Sequence, residues 1–166
     1  MPETKMHPRL WQALQFAVGY LNLGLPDEAL QELDILRPAF RNSPEVLSLR
    51  TQIHLLRSEW VCAAELAESG RTAYPELPDF FIQQALAYEQ LGQPARAIEI
   101  WKAAPPEIRR SGFCHYNMAR CEARLGNLTS AQRHALQAMK LEPSLKPAVR
   151  TDPLLCGLQH TSRSGN

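Results

Sequence analysis

A single 34-residue interval constrains this chain more than any other feature, because it separates Gly24, Ser58, Gly92 and Gly126 at every step. Two further columns keep the same spacing. Ala29, Ala63, Ala97 and Ala131 form one, and Ala17, Thr51, Ala85 and Ala119 form the other, small at every member. A fixed interval of this size signals stacked supersecondary units, each unable to bury its apolar face alone. Small residues let two antiparallel helices approach closely, and glycine permits a positive φ in the turn between them. Larger apolar residues fill what remains: Phe16, Tyr20, Leu33 and Leu36 in the first unit, Phe81, Tyr88, Ile98 and Trp101 in the third. No segment alternates as a strand, so the expectation is an all-α fold.

A doubled interval lies over the first. It relates Pro26 to Pro94, Pro38 to Pro106, Arg41 to Arg109, and Ser43 to Ser111, whereas the intervening units share Pro75 with Pro143 and Ala67 with Ala135. Duplication of a two-unit cassette explains both sets. Pro38 and the Pro105-Pro106 pair should stop the second helix of each odd unit early.

The repeat interval, with Leu23-Gly24-Leu25-Pro26-Asp27-Glu28-Ala29-Leu30 and its counterparts, resembles the tetratricopeptide repeat (TPR) family. The stretch Tyr116-Asn117-Met118-Ala119-Arg120 and the Asp152-Pro153 tail further resemble a group of small bacterial TPR proteins without an assigned activity. The resemblance implies a TPR α-solenoid of four antiparallel helix pairs with a C-terminal capping segment, in the cytoplasm. Expected boundaries are a flexible leader over 1–7, four units over 8–143 (about 10–43, 44–77, 78–111 and 112–143), a capping helix and short turn over 144–158, and a disordered tail over 159–166. Arg50, Thr51 and Arg57 depart from the apolar or small residues usual in TPRs, which questions the packing of the second unit.

Within those bounds the helix signals are local. Pro8, Pro26, Pro78 and Pro94 suit first turns, Ser43-Pro44 reads as an N-cap followed by a first-turn proline, and Ser111 reads as a cap. After Pro143 the period ends. Leu145, Ala148 and Val149 are spaced to cover the last pair, and Leu154-Leu155 should fold back.

At 166 residues the chain is long enough for one domain with a continuous core. Net charge is +1, but it is unevenly placed: 1–102 hold nine Lys/Arg against thirteen Asp/Glu, and 103–166 hold nine against four. Such a gradient could orient a partner or promote head-to-tail contact, or it could simply be solvated helix faces. There is no membrane-length apolar run and no signal-peptide pattern at the N-terminus, so no membrane association is expected. Dispersed arginines with acids between them, and a sequence pI near 7.7, argue against nucleic acid.

Four cysteines, Cys62, Cys114, Cys121 and Cys156, show no disulfide framework. Cys114, His115, Cys121 and an approaching His134 are the one conceivable metal cluster, yet zinc sites present ligand pairs at shorter spacing. Without a glycine-rich phosphate loop, nucleophile elbow or Glu/His metal motif, the expectation is no enzyme, no catalytic residue, no metal and no cofactor. A Cys114–His134 pair would lack an orienting acid and an oxyanion hole.

The resemblance places the first helix of each unit on a concave wall. By register, the expected protein-binding groove comprises Trp11, Leu14, Val18 and Leu21, then Gln52 and Leu55, then Ile82, Leu86 and Glu89, then Phe113, Tyr116, Arg120 and Arg124. Apolar positions would take an amphipathic helix or extended segment, the aromatics would anchor it, and the two arginines would hold a carboxylate. Leu14, Val18, Ser48 and Gln52 stand where chaperone-binding TPRs carry a lysine- and asparagine-rich carboxylate clamp, so that clamp is absent. The expected function is a non-catalytic adaptor or scaffold for a protein or peptide segment. Alternatives are a chaperone for unfolded or secreted substrates and a homodimer closed through the groove.

Overall fold

The computed structural model describes residues 7–159, and among them every regular element is helical. Of the expected leader (1–7) and disordered tail (159–166), residues 1–6 and 160–166 lie outside the described residues, while His7 caps the first helix and Gln159 ends the last 3-10 turn. The chain divides into two compact units between Pro75 and Glu76. Each unit has apolar clusters of its own, described in turn below.

The first unit contains α1 (Pro8–Asn22), α2 (Pro26–Asp34), the single turn α3 (Pro38–Arg41), α4 (Pro44–Leu56) and α5 (Trp60–Ala73). α1 pairs with α2 and α4 with α5, and α2 also packs on α4. Leu10, Ala13, Leu14, Ala17, Ala29, Leu33, Val46 and Ile53 supply most of its core. The residues that questioned the second repeat have their own partners. Thr51 is wholly buried and donates its hydroxyl to the Leu47 carbonyl at 2.8 Å, Arg50 meets Asp34 at 2.6 Å, and Arg57 meets Asp27 and Glu59, each at 2.9 Å.

The second unit contains α6 (Pro78–Gln90), α7 (Pro94–Ala103), the single turn α8 (Pro106–Arg109), α9 (Gly112–Arg124) and α10 (Leu128–Leu141), followed by a 3-10 turn (Pro143–Leu145), α11 (Lys146–Thr151) and a last 3-10 turn (Cys156–Gln159). One cluster joins Ala85, Ala97, Ile98, Trp101, Cys114, Met118 and Cys121. The next joins Ala119, Ala131 and Ala135 to Val149, Leu155 and Leu158, so the C-terminal segment seals the last pair with its own side chains.

All eight residues of the two small columns are fully buried. Each of the four turns uses its column residue in the left-handed region: Gly24 at φ 74°, Ser58 at 59°, Gly92 at 69° and Gly126 at 78°. The following N–H groups of Leu25, Glu59, Gln93 and Asn127 each return to the carbonyl five residues back, at 2.9 Å, closing the same helix-end motif four times.

The doubled interval has a structural meaning too. α2 and α7 stop early, and α3 and α8 open on Pro38 and Pro106. Arg41 Nη2 reaches the Asp34 carbonyl at 3.0 Å, and Arg109 Nη1 reaches the Lys102 carbonyl at 3.5 Å, so both satisfy an end of the preceding helix. The serines diverge. Ser111 Oγ accepts from the Cys114 N–H at 3.1 Å as a cap should, whereas Ser43 Oγ is buried and makes no capping bond to α4, contrary to the expectation from Ser43-Pro44.

Candidate functional site

In the first unit, α1 buries the stripe Leu10, Ala13, Leu14 and Ala17. Leu14 therefore belongs to the core cluster and is not open to a ligand, because it shares the face that Leu10 and Ala17 turn inward. Trp11 and Val18, seven residues apart and so on one side of α1, are 57% and 42% exposed. Leu21 is half-buried against the core. On α4, Gln52 is exposed and Leu55 half-buried. Gln52 stands one repeat after Val18, and Leu55 one repeat after Leu21. The first-helix faces of this unit thus offer apolar and neutral polar groups without a charged side chain at the named positions.

In the second unit, Ile82 and Leu86 are half-buried against the cluster of Trp101 and Met118. Phe113 remains 38% exposed, its ring edge-on to Trp101 with centroids 5.9 Å apart. The remaining positions are engaged within the chain. Glu89 is only 1% exposed, and its Oε2 meets Arg120 Nη1 at 3.2 Å while its Oε1 accepts from Trp101 Nε1 at 3.4 Å. Arg120 Nε lies 3.1 Å from Asp152 Oδ2, and the Tyr116 hydroxyl donates to that same oxygen at 2.8 Å. Arg124 Nη1 donates to the Glu89 backbone carbonyl at 2.7 Å, where it satisfies an end of α6. The Arg120 guanidinium also lies 5.8 Å from the Tyr116 ring centroid. Asp152 Oδ1 completes the arrangement by accepting from the Leu154 N–H at 2.8 Å, which fixes the turn after α11.

Burial raises the Glu89 carboxyl above the ordinary carboxylate range, and the Arg120 charge acts against that rise. Burial, reinforced by the Asp152 carboxylate, pushes the Tyr116 hydroxyl up to about 12, so it stays protonated as a donor. Two carboxylates and two guanidinium groups are brought together here. The carboxylate expected from a ligand is supplied by the chain's own Asp152, and the aromatic expected as an anchor holds it.

Sequence reasoning missed Asp152 as a partner of Arg120 and Tyr116. The Asp152-Pro153 pair was visible, but it lies beyond the repeats and reads locally as a helix restart.

His115 and His134 meet, Nδ1 to Nδ1, at 2.8 Å with rings stacked 5.1 Å apart. Burial holds both below the usual imidazole range, and the neighbouring Arg133 adds to this for each. Cys114 and Cys121 face the apolar cluster instead. Burial pushes the Cys114 thiol up to about 11 and raises Cys121 as well, which opposes the thiolate that nucleophile or ligand chemistry requires. Among the described residues no group of three or more His, Cys, Asp or Glu side chains could hold a metal ion, and no helix is long and apolar enough to cross a membrane.

No protein-family model matches the chain, and no curated protein matches it in sequence. Solved structures do match. MamA from Desulfovibrio magneticus RS-1 (residue 41 to the end) superposes with a TM-score of 0.74 at 16% identity, covering 83% of this chain and 78% of that one. A MamA RS-1 double mutant gives 0.75 at 16% identity over 96% and 99%. A thermophilic TPR protein of Thermus thermophilus gives 0.71 at 22% identity over 90% and 80%. At such identities the likeness is one of fold. With the small columns buried and the four turns built alike, the chain has the TPR fold: a helical solenoid of four antiparallel pairs with a C-terminal cap.

Proposed function

We propose that this protein is a non-catalytic scaffold that docks a segment of another protein on the first-helix faces of its repeats. One observation carries the reading: α1 turns Ala13, Leu14 and Ala17 into the core while leaving Trp11 and Val18 in solvent on a different side. An apolar strip on a helix already packed by its other face suits the apolar side of an amphipathic helix or extended chain. Within the second unit Ile82, Leu86 and Phe113 would offer apolar contact of the same kind. Glu89, Tyr116, Arg120 and Arg124 would hold the wall in shape and would not themselves grip the ligand. The four cysteines are all free thiols, which supports placement in the reducing cytoplasm.

The test is affinity capture from native extract with wild type beside Val18→Glu/Gln52→Arg, both exposed positions. One or two proteins lost from the variant, with helicity and melting unchanged, is the expected result. A long list of unfolded clients would favour the chaperone alternative, and identical captures would overturn docking on these faces.

A further inference from the structure

A second surface lies at the N-terminal end of the first unit, and at its edge Gln12 and Phe16 adjoin Trp11 on α1. There α1 and α2 leave a cavity of about 290 Å³ between Phe16, Ile35 and Phe40, edged by Arg9, Arg37 and Glu32. Phe16 is 51% exposed and Ile35 76%.

The repeat shows what such a face is built to meet. Gln12 and Phe16 correspond, one repeat on, to Val46 and Arg50 of α4. Val46 is wholly buried in the core shared with α1 and α2, and Arg50 reaches back to Asp34 of α2. This side of a helix pair is therefore the side that stacks on the pair before it. On the first pair no such pair precedes it among the described residues, and Phe16 and Ile35 stay in water. The C-terminal end of the chain is treated differently, since Val149, Leu155 and Leu158 cover much of the last pair.

We propose that this face is the contact surface of a two-fold dimer, in which the N-terminal end of one chain stacks on the same face of a second copy. Charge selects this occupant. Among the described residues the side chains of Arg9, Glu32 and Arg37 form no ion pair, and a two-fold contact places the Glu32 of each copy against the arginines of the other. Head-to-tail stacking matches less well, since it offers Arg150 to Glu32 but nothing to the two arginines. The smaller cavity at the C-terminal end, about 140 Å³, is edged by Arg150 and Gln132 and contains no acidic side chain to meet Arg9 and Arg37. Packing Phe16 and Ile35 of both copies into the paired cavities removes the exposed apolar surface.

The experiment is sedimentation of the full 166-residue chain over a wide concentration range. The expected result is a mass that doubles with concentration. Ile35→Glu and Phe16→Glu should each weaken the dimer by about tenfold or more, with helicity and melting of the monomer unchanged because both side chains are largely exposed. Glu32→Arg alone should weaken it, and Glu32→Arg with Arg9→Glu should restore it. A wild-type monomer at every concentration would overturn the proposal and leave the face to residues 1–6 or to a different protein. A dimer indifferent to Ile35→Glu and Phe16→Glu would overturn it in favour of another surface.

Discussion

The Tyr116 hydroxyl and Arg120 Nε converge on one oxygen of Asp152, at 2.8 and 3.1 Å, and so tie α9 to the turn that follows α11. Removing the tyrosine hydroxyl leaves Asp152 its cation and its turn hydrogen bond, so Tyr116→Phe should cost about 1 kcal/mol. Arg120→Met strands Glu89 and Asp152, two buried carboxylates, and should cost about 3 kcal/mol. Adding Glu89→Gln to Arg120→Met should recover part of that loss. Urea unfolding of the variants checks the ranking. Equal losses for Tyr116→Phe and Arg120→Met would show that charge does not hold this segment.

The histidine pair makes stability depend on pH with a definite sign. One Nδ1 must donate to the other, so the pair requires at least one neutral ring. Both folded pKa values lie below the ordinary 6.5, chiefly through burial; Arg133 acts on both, His115 and Lys102 also depress His134, and Glu122 opposes. The unfolded chain therefore takes up protons first as pH falls through 6.5. Stability is complete above that value and declines toward the folded pKa values, below which the loss is constant. Glu89 works in reverse, because its raised pKa costs stability as pH rises above the unfolded value of 4.5. Comparing wild type with His115→Gln/His134→Gln isolates the imidazole part. The expected outcome is a steeper fall in melting temperature for wild type between neutral and mildly acidic pH. Parallel curves would mean that the pair does not resist protonation.

Ser58 occupies the left-handed position that glycine fills in the other three turns. A side chain there costs on the order of 1–2 kcal/mol, offset in part by the greater freedom glycine has in the unfolded chain. Ser58→Gly should therefore stabilise the protein by about 0.5–1 kcal/mol. Thermal unfolding decides it, and a lowered melting temperature would show that Ser58 has found a compensating contact.

Gly112 opens α9 where a Cβ would lie 2.5 Å from the Glu142 Cβ and 3.1 Å from the Ala138 carbonyl oxygen. Gly112→Ala should destabilise by about 1–3 kcal/mol through overpacking. The same substitution at Gly19, which has open space around it, should be neutral or slightly stabilising. Circular-dichroism melts of the two variants side by side test the contrast.

What recurs in the sequence was legible, and what occurs once was not. The columns through Ala17 and Ala29 predicted burial at eight positions, and the Gly24 column predicted four turns even where Ser58 breaks the composition. Leu14 was placed on the wrong face because register alone does not say which side of α1 turns inward; the neighbouring Leu10, Ala13 and Ala17 do. In sequence Arg120 reads as open to a ligand or as a solvated partner of Arg124 beside Glu122. Its partners are Glu89, one repeat earlier, where the equivalent residue on α4 is Leu55, and Asp152, in a segment that belongs to no repeat. Pairings of this kind leave no periodic trace.

Among the described residues seven α-helices open on proline: α1, α2, α3, α4, α6, α7 and α8. Each proline removes an N–H that a helix start cannot use, and its ring blocks the helical path of the residue before it. A chain this rich in alanine and leucine has a ready competitor to its own fold, in which neighbouring helices run together as long rods and exchange partners between molecules. The prolines act as punctuation against that reading. Pro26 keeps α1 from running on into α2, and Pro94 keeps α6 from running on into α7, so the local sequence itself favours the hairpin over the rod.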